Sequence, residues 1–174
     1  LAFSEQLPKE SIMATATATQ FKRNILNHET NDQVTALLQK NLTNLIDLAL
    51  LMKQAHWNVV GPNFRSVHLQ LDEIIATVRD ASDEVAERIS TLGVAPDGRA
   101  STVASDSALS AYPSVFVKVP DTVDLVADAM KTTIDSLRSA IERLGELDPV
   151  SEDLFIAVSR PLEKHLWMLQ AQEG

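Results

Sequence analysis

Residues 63–92 read NFRSVHLQLDEIIATVRDASDEVAERISTL, and one row of apolar side chains runs the whole way: Val67, Leu71, Ile74, Val78, Ala81, Val85, Ile89 and Leu92. Steps of three and four residues sustained over that length describe a single long amphipathic helix. Gly93 and then Pro96 supply its stop. On the upstream side Gly61-Pro62 separates it from a second row, Val34, Leu38, Leu45, Leu48, Met52 and Ala55, with Asn41 as the one polar member. That row predicts a helix from about residue 31, with Thr30, Asn31 and Asp32 as candidate N-caps.

Downstream, residues 93–119 have no clean period, and a short helix is expected over Val103–Ser110. Pro120-Asp121 opens a third long helix with Val123, Val126, Met130, Ile134, Leu137, Ile141 and Leu144 on one face, and Gly145 is expected to end it. Asp148 before Pro149 reads as an N-cap followed by a first-turn proline. The last helix is expected to reach Gln170, with Leu154, Val158, Leu162, Leu166 and Leu169 inward. Two short-turn helix pairs joined by a long connection describe an all-α four-helix bundle with one crossover, the ferritin-like arrangement, with a short helix in the crossover. Hydrophobic patterning leaves a plain up-down bundle open as well. Residues 1–28 are rich in Ala, Thr and Ser without a sustained period, so they read as an arm ahead of a bundle domain over 29–174; Met13-Ala-Thr is a candidate natural start.

The chain of 174 residues and 19.1 kDa fits one domain. With no cysteine it has no disulfide framework, thiolate metal site or thiol nucleophile. No apolar run is long enough for a membrane span, and no apolar core of a secretory signal is evident, so a cytoplasmic protein without membrane partners is expected. The net charge of −9 disfavours a general polyanion-binding surface. Lys9, Lys22 and Arg23 are balanced by Glu5, Glu10 and Glu29, so the arm adds no basic patch.

Chemistry concentrates in His56, His68, Asp72, Asp83 and Glu87. His68 and Asp72 are four residues apart, as are Asp83 and Glu87, and Asp83 returns to nearly the azimuth of Asp72 at about 100° per residue. The four form one stripe beside the apolar row, and His56 can fold back across the Gly-Pro turn. Eleven residues of helix span about 16 Å, whereas metal–ligand bonds are close to 2 Å. One chain therefore cannot close both pairs on one ion. Two copies packed antiparallel about a two-fold axis would place Asp83 and Glu87 of one beside His68 and Asp72 of the other, giving two equivalent sites. Imidazole with carboxylate suits Fe(II), and zinc or manganese too. The Glu-x-x-His signature of intrachain di-iron bundles is absent, since Ile25, Lys53, Arg65 and Leu162 precede the four histidines by three.

The segment Lys53-Gln-Ala-His-Trp-Asn-Val-Val-Gly-Pro-Asn-Phe, with Val67-His-Leu-Gln-Leu-Asp and Asp83-Glu-Val-Ala-Glu-Arg, closely resembles the Dps proteins, the mini-ferritins of starved bacteria. Ala111-Tyr-Pro and Glu163-Lys-His-Leu-Trp-Met extend the resemblance across most of residues 31–170. It implies a hollow homo-dodecamer of tetrahedral symmetry with ferroxidase centres at the two-folds. The ligands of iron (Fe2+/Fe3+) map to His56, His68 and Asp72 of one chain and Asp83 and Glu87 of its neighbour. It further implies that Trp57 intercepts oxidising equivalents, although an aromatic there also serves packing. Asp148 and Asp153 become candidates for an acidic pore that admits iron; capping and the helix dipole are the plainer reading of the cluster they form with Glu146 and Glu152. His165 reads as a structural histidine. The expected function is oxidation of Fe(II) with hydrogen peroxide and storage of ferric mineral, protecting against oxidative stress. The rival is a nucleoid-associated, DNA-condensing protein with secondary iron chemistry, which the neutral arm disfavours; a bundle that binds zinc or nothing is the third reading.

Overall fold

The structure, a computed structural model, describes residues 21–172. The segment 1–20 of the expected arm therefore lies outside the described residues. Five helices and two very short strands follow in the order α1 (His28–Asn58), β1 (Val59–Val60), α2 (Phe64–Thr91), α3 (Ala100–Asp106), β2 (Val117–Lys118), α4 (Val119–Leu147) and α5 (Pro149–Gln170).

Helix α1 starts earlier than its apolar row. The cap is Asn27, whose side-chain oxygen accepts from the Thr30 N–H at 3.0 Å, so Thr30, Asn31 and Asp32 lie inside the helix and none is the cap. Asn31 serves another purpose: it is buried and donates to the carbonyl of Leu92 at 3.1 Å, fastening the start of α1 to the end of α2. At the other end the chain reverses through Gly61 (φ 110°) and Asn63 (φ 62°). Both occupy the left-handed region that glycine and asparagine tolerate best.

The crossover is pinned by side chains that hydropathy does not report. Asp97 accepts from Thr102 Oγ1 at 2.9 Å and from the Arg99 N–H at 3.1 Å, organising α3 at Ala100. Ser107 then donates to Asp47 at 2.5 Å, and the Ala108 N–H donates to Asn44 at 3.0 Å. Both bonds draw the backbone onto α1, so the short helix ends at Asp106 and does not cover the expected 103–110. Strand β2 pairs parallel with β1, Val59 opposite Val117 and Val60 opposite Lys118. Helix α4 therefore starts at the end of the bundle where α2 starts, and the two run in the same direction. This is the ferritin-like crossover; a plain up-down bundle would run them oppositely.

Helix α4 continues through Gly145 to Leu147, contrary to the stop expected at that glycine. Gly145 is not among the positive-φ residues, so it forms no left-handed cap. A Cβ there would lie 3.0 Å from Glu152 Oε1, which places Gly145 at a close approach to α5. The break comes at Asp148, held extended (φ −156°, ψ 95°) ahead of Pro149. In α5 the fully buried side chains include Phe155 and Leu162, whereas Leu154 and Leu166 lie at the core margin. Phe155 belongs with Leu71, Ile74, Met130 and Leu137 to one continuous core cluster.

The α4–α5 corner is locked to the last turns of α2. Arg88 donates to Ser151 Oγ at 2.9 Å and to Asp148 Oδ2 at 2.7 Å, and Ser151 donates to the same carboxylate at 2.5 Å. Burial alone would raise the Asp148 pKa, but the bonds from Ser151 and Arg88 and the Arg88 charge outweigh it and leave it lowered.

Two outcomes follow from these placements. Gly145→Ala should stabilise the protein by about 0.5 kcal/mol, because a helix-interior glycine gains from a methyl group and the Glu152 carboxylate is free to swing aside; a left-handed glycine would instead give a loss in denaturant unfolding. Arg88→Met should cost about 3 kcal/mol at pH 7 by leaving a buried carboxylate unpaired. A lowered carboxyl pKa stabilises the fold above the ordinary carboxyl range and loses that contribution as pH falls through the lowered value. Without Arg88 the Asp148 carboxyl takes up its proton at higher pH, so urea unfolding should show the deficit of this variant shrinking from pH 7 toward pH 4.

Candidate metal centre

The tight reversal after α1 brings its last turn against the first turns of α2. His56 Nδ1 lies 2.9 Å from the carbonyl oxygen of His68, and His68 Nδ1 lies 2.8 Å from that of His56. A carbonyl only accepts, so each Nδ1 carries the proton and each Nε2 keeps a free lone pair for a metal. The rings stack with centroids 3.6 Å apart, and Phe64 sets its edge toward His68 at 6.4 Å. His56 is 8% exposed, so the pair is built into the fold.

Asp72, one turn along α2 from His68, completes a group in which one donor atom from each of His56, His68 and Asp72 lies within 4.8 Å of the others. Its Oδ1 is 3.3 Å from His56 Nδ1 and accepts a 2.7 Å bond from Lys53 Nζ. That bond is the main reason the Asp72 carboxyl sits below its ordinary pKa; burial opposes it, and the neighbouring histidines and the lysine charge act with it. Lys53 was not singled out in the sequence. Its signal was there: it lies three residues before His56 and so shares its helix face.

Asp83 and Glu87 are exposed farther along α2, and among the described residues neither carboxylate has a hydrogen bond or ion pair. The helix is continuous between them and Asp72, so the separation of about 16 Å stands. One chain thus collects three of the five candidate ligands and leaves the other two open. Three apolar side chains close in sequence to the two histidines, Trp57, Phe64 and Leu69, are exposed, and Trp57 is 65% exposed. An aromatic so placed is not core packing within this chain.

The structure separates the two acidic residues expected at a pore. Asp148 is 4% exposed and committed to Arg88 and Ser151, so it is no open carboxylate in this chain. The cause is its position at the extended corner, where its side chain turns inward beneath Arg88. Asp153, one turn into α5, is exposed and lines an open depression of about 480 Å³ together with Glu84, Glu87 and Thr91. Glu146 pairs with Arg143, and Glu152 covers Gly145. His165, expected to be a satisfied structural histidine, has its Nε2 3.0 Å from Thr77 Oγ1, whose own proton goes to the Glu73 carbonyl. Its Nδ1, however, is buried with no hydrogen-bond partner among the described residues. Burial lowers the pKa of His165. No helix among the described residues is long and apolar enough to cross a membrane.

The chemistry available is that of two imidazole nitrogens and one carboxylate, with two more carboxylates exposed farther along α2. Such a set fits Fe(II), and the same donors accept zinc or manganese.

The profile of the family described as "Ferritin: Ferritin-like domain" matches residues 35–173. The chain is 42% identical over 142 residues to the fine tangled pili major subunit of Haemophilus ducreyi, covering 82% of this chain and 75% of that protein. It is 37% identical over 154 residues to the DNA protection during starvation protein of Agrobacterium fabrum, covering 88% of this chain and 95% of that one. Among solved structures, the tetragonal form of Mycobacterium smegmatis Dps superposes with a TM-score of 0.84 at 39% identity, covering 89% of this chain and 94% of that chain. The bundle and its crossover are thus shared with relatives well above the level at which likeness shows fold alone, and the chain belongs to the Dps family of ferritin-like proteins.

Proposed function

We propose that this protein oxidises Fe(II) at centres shared between two subunits and stores the ferric product inside a dodecameric cage. The observation that carries the reading is the division of ligands. His56, His68 and Asp72 converge within one chain, while Asp83 and Glu87 lie unpaired on the same helix, too far away to reach them. An antiparallel two-fold pairing of α2 brings each set to the other, and covers Trp57, Phe64 and Leu69 in doing so.

At such a centre the imidazoles present Nε2 to the metal and the carboxylates offset its charge. Hydrogen peroxide accepts two electrons, one from each of two Fe(II) ions, and with two protons leaves as two waters. The ferric ions hydrolyse and mineralise in the cavity. Trp57, beside His56, is placed to give up an electron when oxidation goes astray. Asp153 fits a role in admitting iron, since it shares a depression with Glu87; Asp148 acts beneath it by holding the corner. Removing Fe(II) and peroxide together protects DNA without contact, and a cytoplasmic setting suits that task. DNA condensation remains the weaker reading, because the arm is charge-balanced.

Mixing His68→Ala chains with Asp83→Ala chains tests the sharing. Each homo-oligomer should consume Fe(II) and peroxide slowly, by about a hundredfold or more relative to the parent. Cages assembled from both chains should recover activity, because some interfaces then carry one intact centre. Native mass spectrometry verifies that mixed dodecamers formed. Mixed cages with no recovery would rule out centres built from two subunits.

A further inference from the structure

We infer that His165 is an acid-released latch between α2 and α5, one that grips Thr77 as a neutral imidazole and lets go when its buried ring nitrogen takes a proton. Thr77 Oγ1 gives its own proton to the Glu73 carbonyl at 3.1 Å. At its 3.0 Å contact with His165 Nε2 it therefore accepts, and Nε2 carries the hydrogen. That fixes the tautomer and leaves Nδ1 with a lone pair. Nδ1 is buried, and among the described residues it has no hydrogen-bond partner. A proton from solvent, added to that lone pair, makes a charged N–H that faces no acceptor in a buried place. An unmet charged donor costs far more than an unmet lone pair, so the protonated ring must turn outward and release Thr77.

Nothing else on this seam compensates. Among the described residues, the side-chain hydrogen bonds that span it are Arg88 to Ser151, His165 to Thr77, and Gln172 to Gln70 just past the end of α5. The His165 contact is the middle one. Gln70 Nε2 is also buried and unpartnered, but it is a donor and offers an imidazolium nothing. Two charges act on the ring: Glu73 of α2 favours its cation, and Lys164 of α5 opposes it. From α4, the other helix packed on α5, Arg138 is taken up by Glu163. Burial outweighs Glu73 and holds the His165 pKa below the ordinary imidazole value. As pH falls, an opened seam takes its proton in the ordinary imidazole range, whereas the closed seam resists to lower pH. The latch is thus at full strength above that range and weakens below it.

Amide hydrogen exchange of the metal-free full chain at pH 7.5 and pH 5.5, read by mass spectrometry and divided by the intrinsic rate at each pH, tests this. In the parent, peptides covering residues 70–84 and 158–170 should open more at pH 5.5, severalfold and at most about tenfold, the limit set by one proton over this range. His165→Gln keeps an N–H for Thr77 but has no proton to take up, and its two values should agree. His165→Phe fills the site without a polar atom and provides a second variant that does not titrate. Thr77→Ser keeps the hydroxyl and should respond as the parent does. His28, His56 and His68 are present in every variant, so their titration cancels from the comparison. A parent seam indifferent to acid would overturn the latch. So would an acid response of parental size in either His165 variant, or its loss in Thr77→Ser. Native mass at each pH separates opening of the seam from dissociation of subunits.

Discussion

The reciprocal hydrogen bonds between His56 and His68 carry two duties that are separate in most bundles. Each imidazole takes the other's backbone carbonyl, at 2.9 and 2.8 Å, and so closes the reversal between α1 and α2. Each also has its tautomer set in the process, which leaves the outward nitrogen free. The joint that ends one helix and starts the next is also the part of the candidate metal centre that a single chain assembles. The stacked rings and the Phe64 edge restrict the rotation of both imidazoles.

Around that joint the bundle is arranged so that both ends of α2 are fixed. At the first end the β1–β2 pair ties the start of α4 to the turn after His56. At the other, Arg88 binds Asp148 and Ser151 at the start of α5, while Asn31 of α1 binds the carbonyl of Leu92. Helix α2 carries four of the five candidate ligands, and its straightness converts residue spacing into distance. The same continuous helix keeps Asp83 and Glu87 away from His68 within one chain. Lys53, three residues before His56 on α1, donates to Asp72 of α2 at 2.7 Å across the same joint.

Much of this was legible in the residue order. Three- and four-residue steps marked the four long helices, because burial of a helical stripe imposes that period whatever the neighbours are. The stripe of His68, Asp72, Asp83 and Glu87 was legible for the same reason, as azimuth and rise follow from helix geometry alone. Failures came where a local signal competed with a distant partner. Gly145 reads as a helix stop, yet it does not take the left-handed conformation of a cap, and α4 runs on to Leu147 where Asp148 and Pro149 break it. Asp148 is the N-cap of α5 that the residue order predicts, but as a pore candidate it reads as open, whereas Arg88, sixty residues earlier, draws its carboxylate inward. Thr30, Asn31 and Asp32 all have cap chemistry, and Asn27 is the one used, because Asn31 is engaged with Leu92. Phe155 was overshadowed by the regular leucines beside it, since depth in a core depends on which helices face it.

What the order of residues determined by itself is the set of helices, the bundle class, and the impossibility of gathering all five ligands on one chain; each depends only on periodicity and on the fixed rise of an α-helix. Tertiary structure alone decided that the crossover runs the length of the bundle, that Asp148 is a buried brace and Asp153 an open carboxylate, and that Lys53 sits on a ligand oxygen. These depend on contacts between residues 19 to 60 positions apart in sequence. No window of local hydropathy or propensity reports such contacts, because their free energy exists only once the helices have packed.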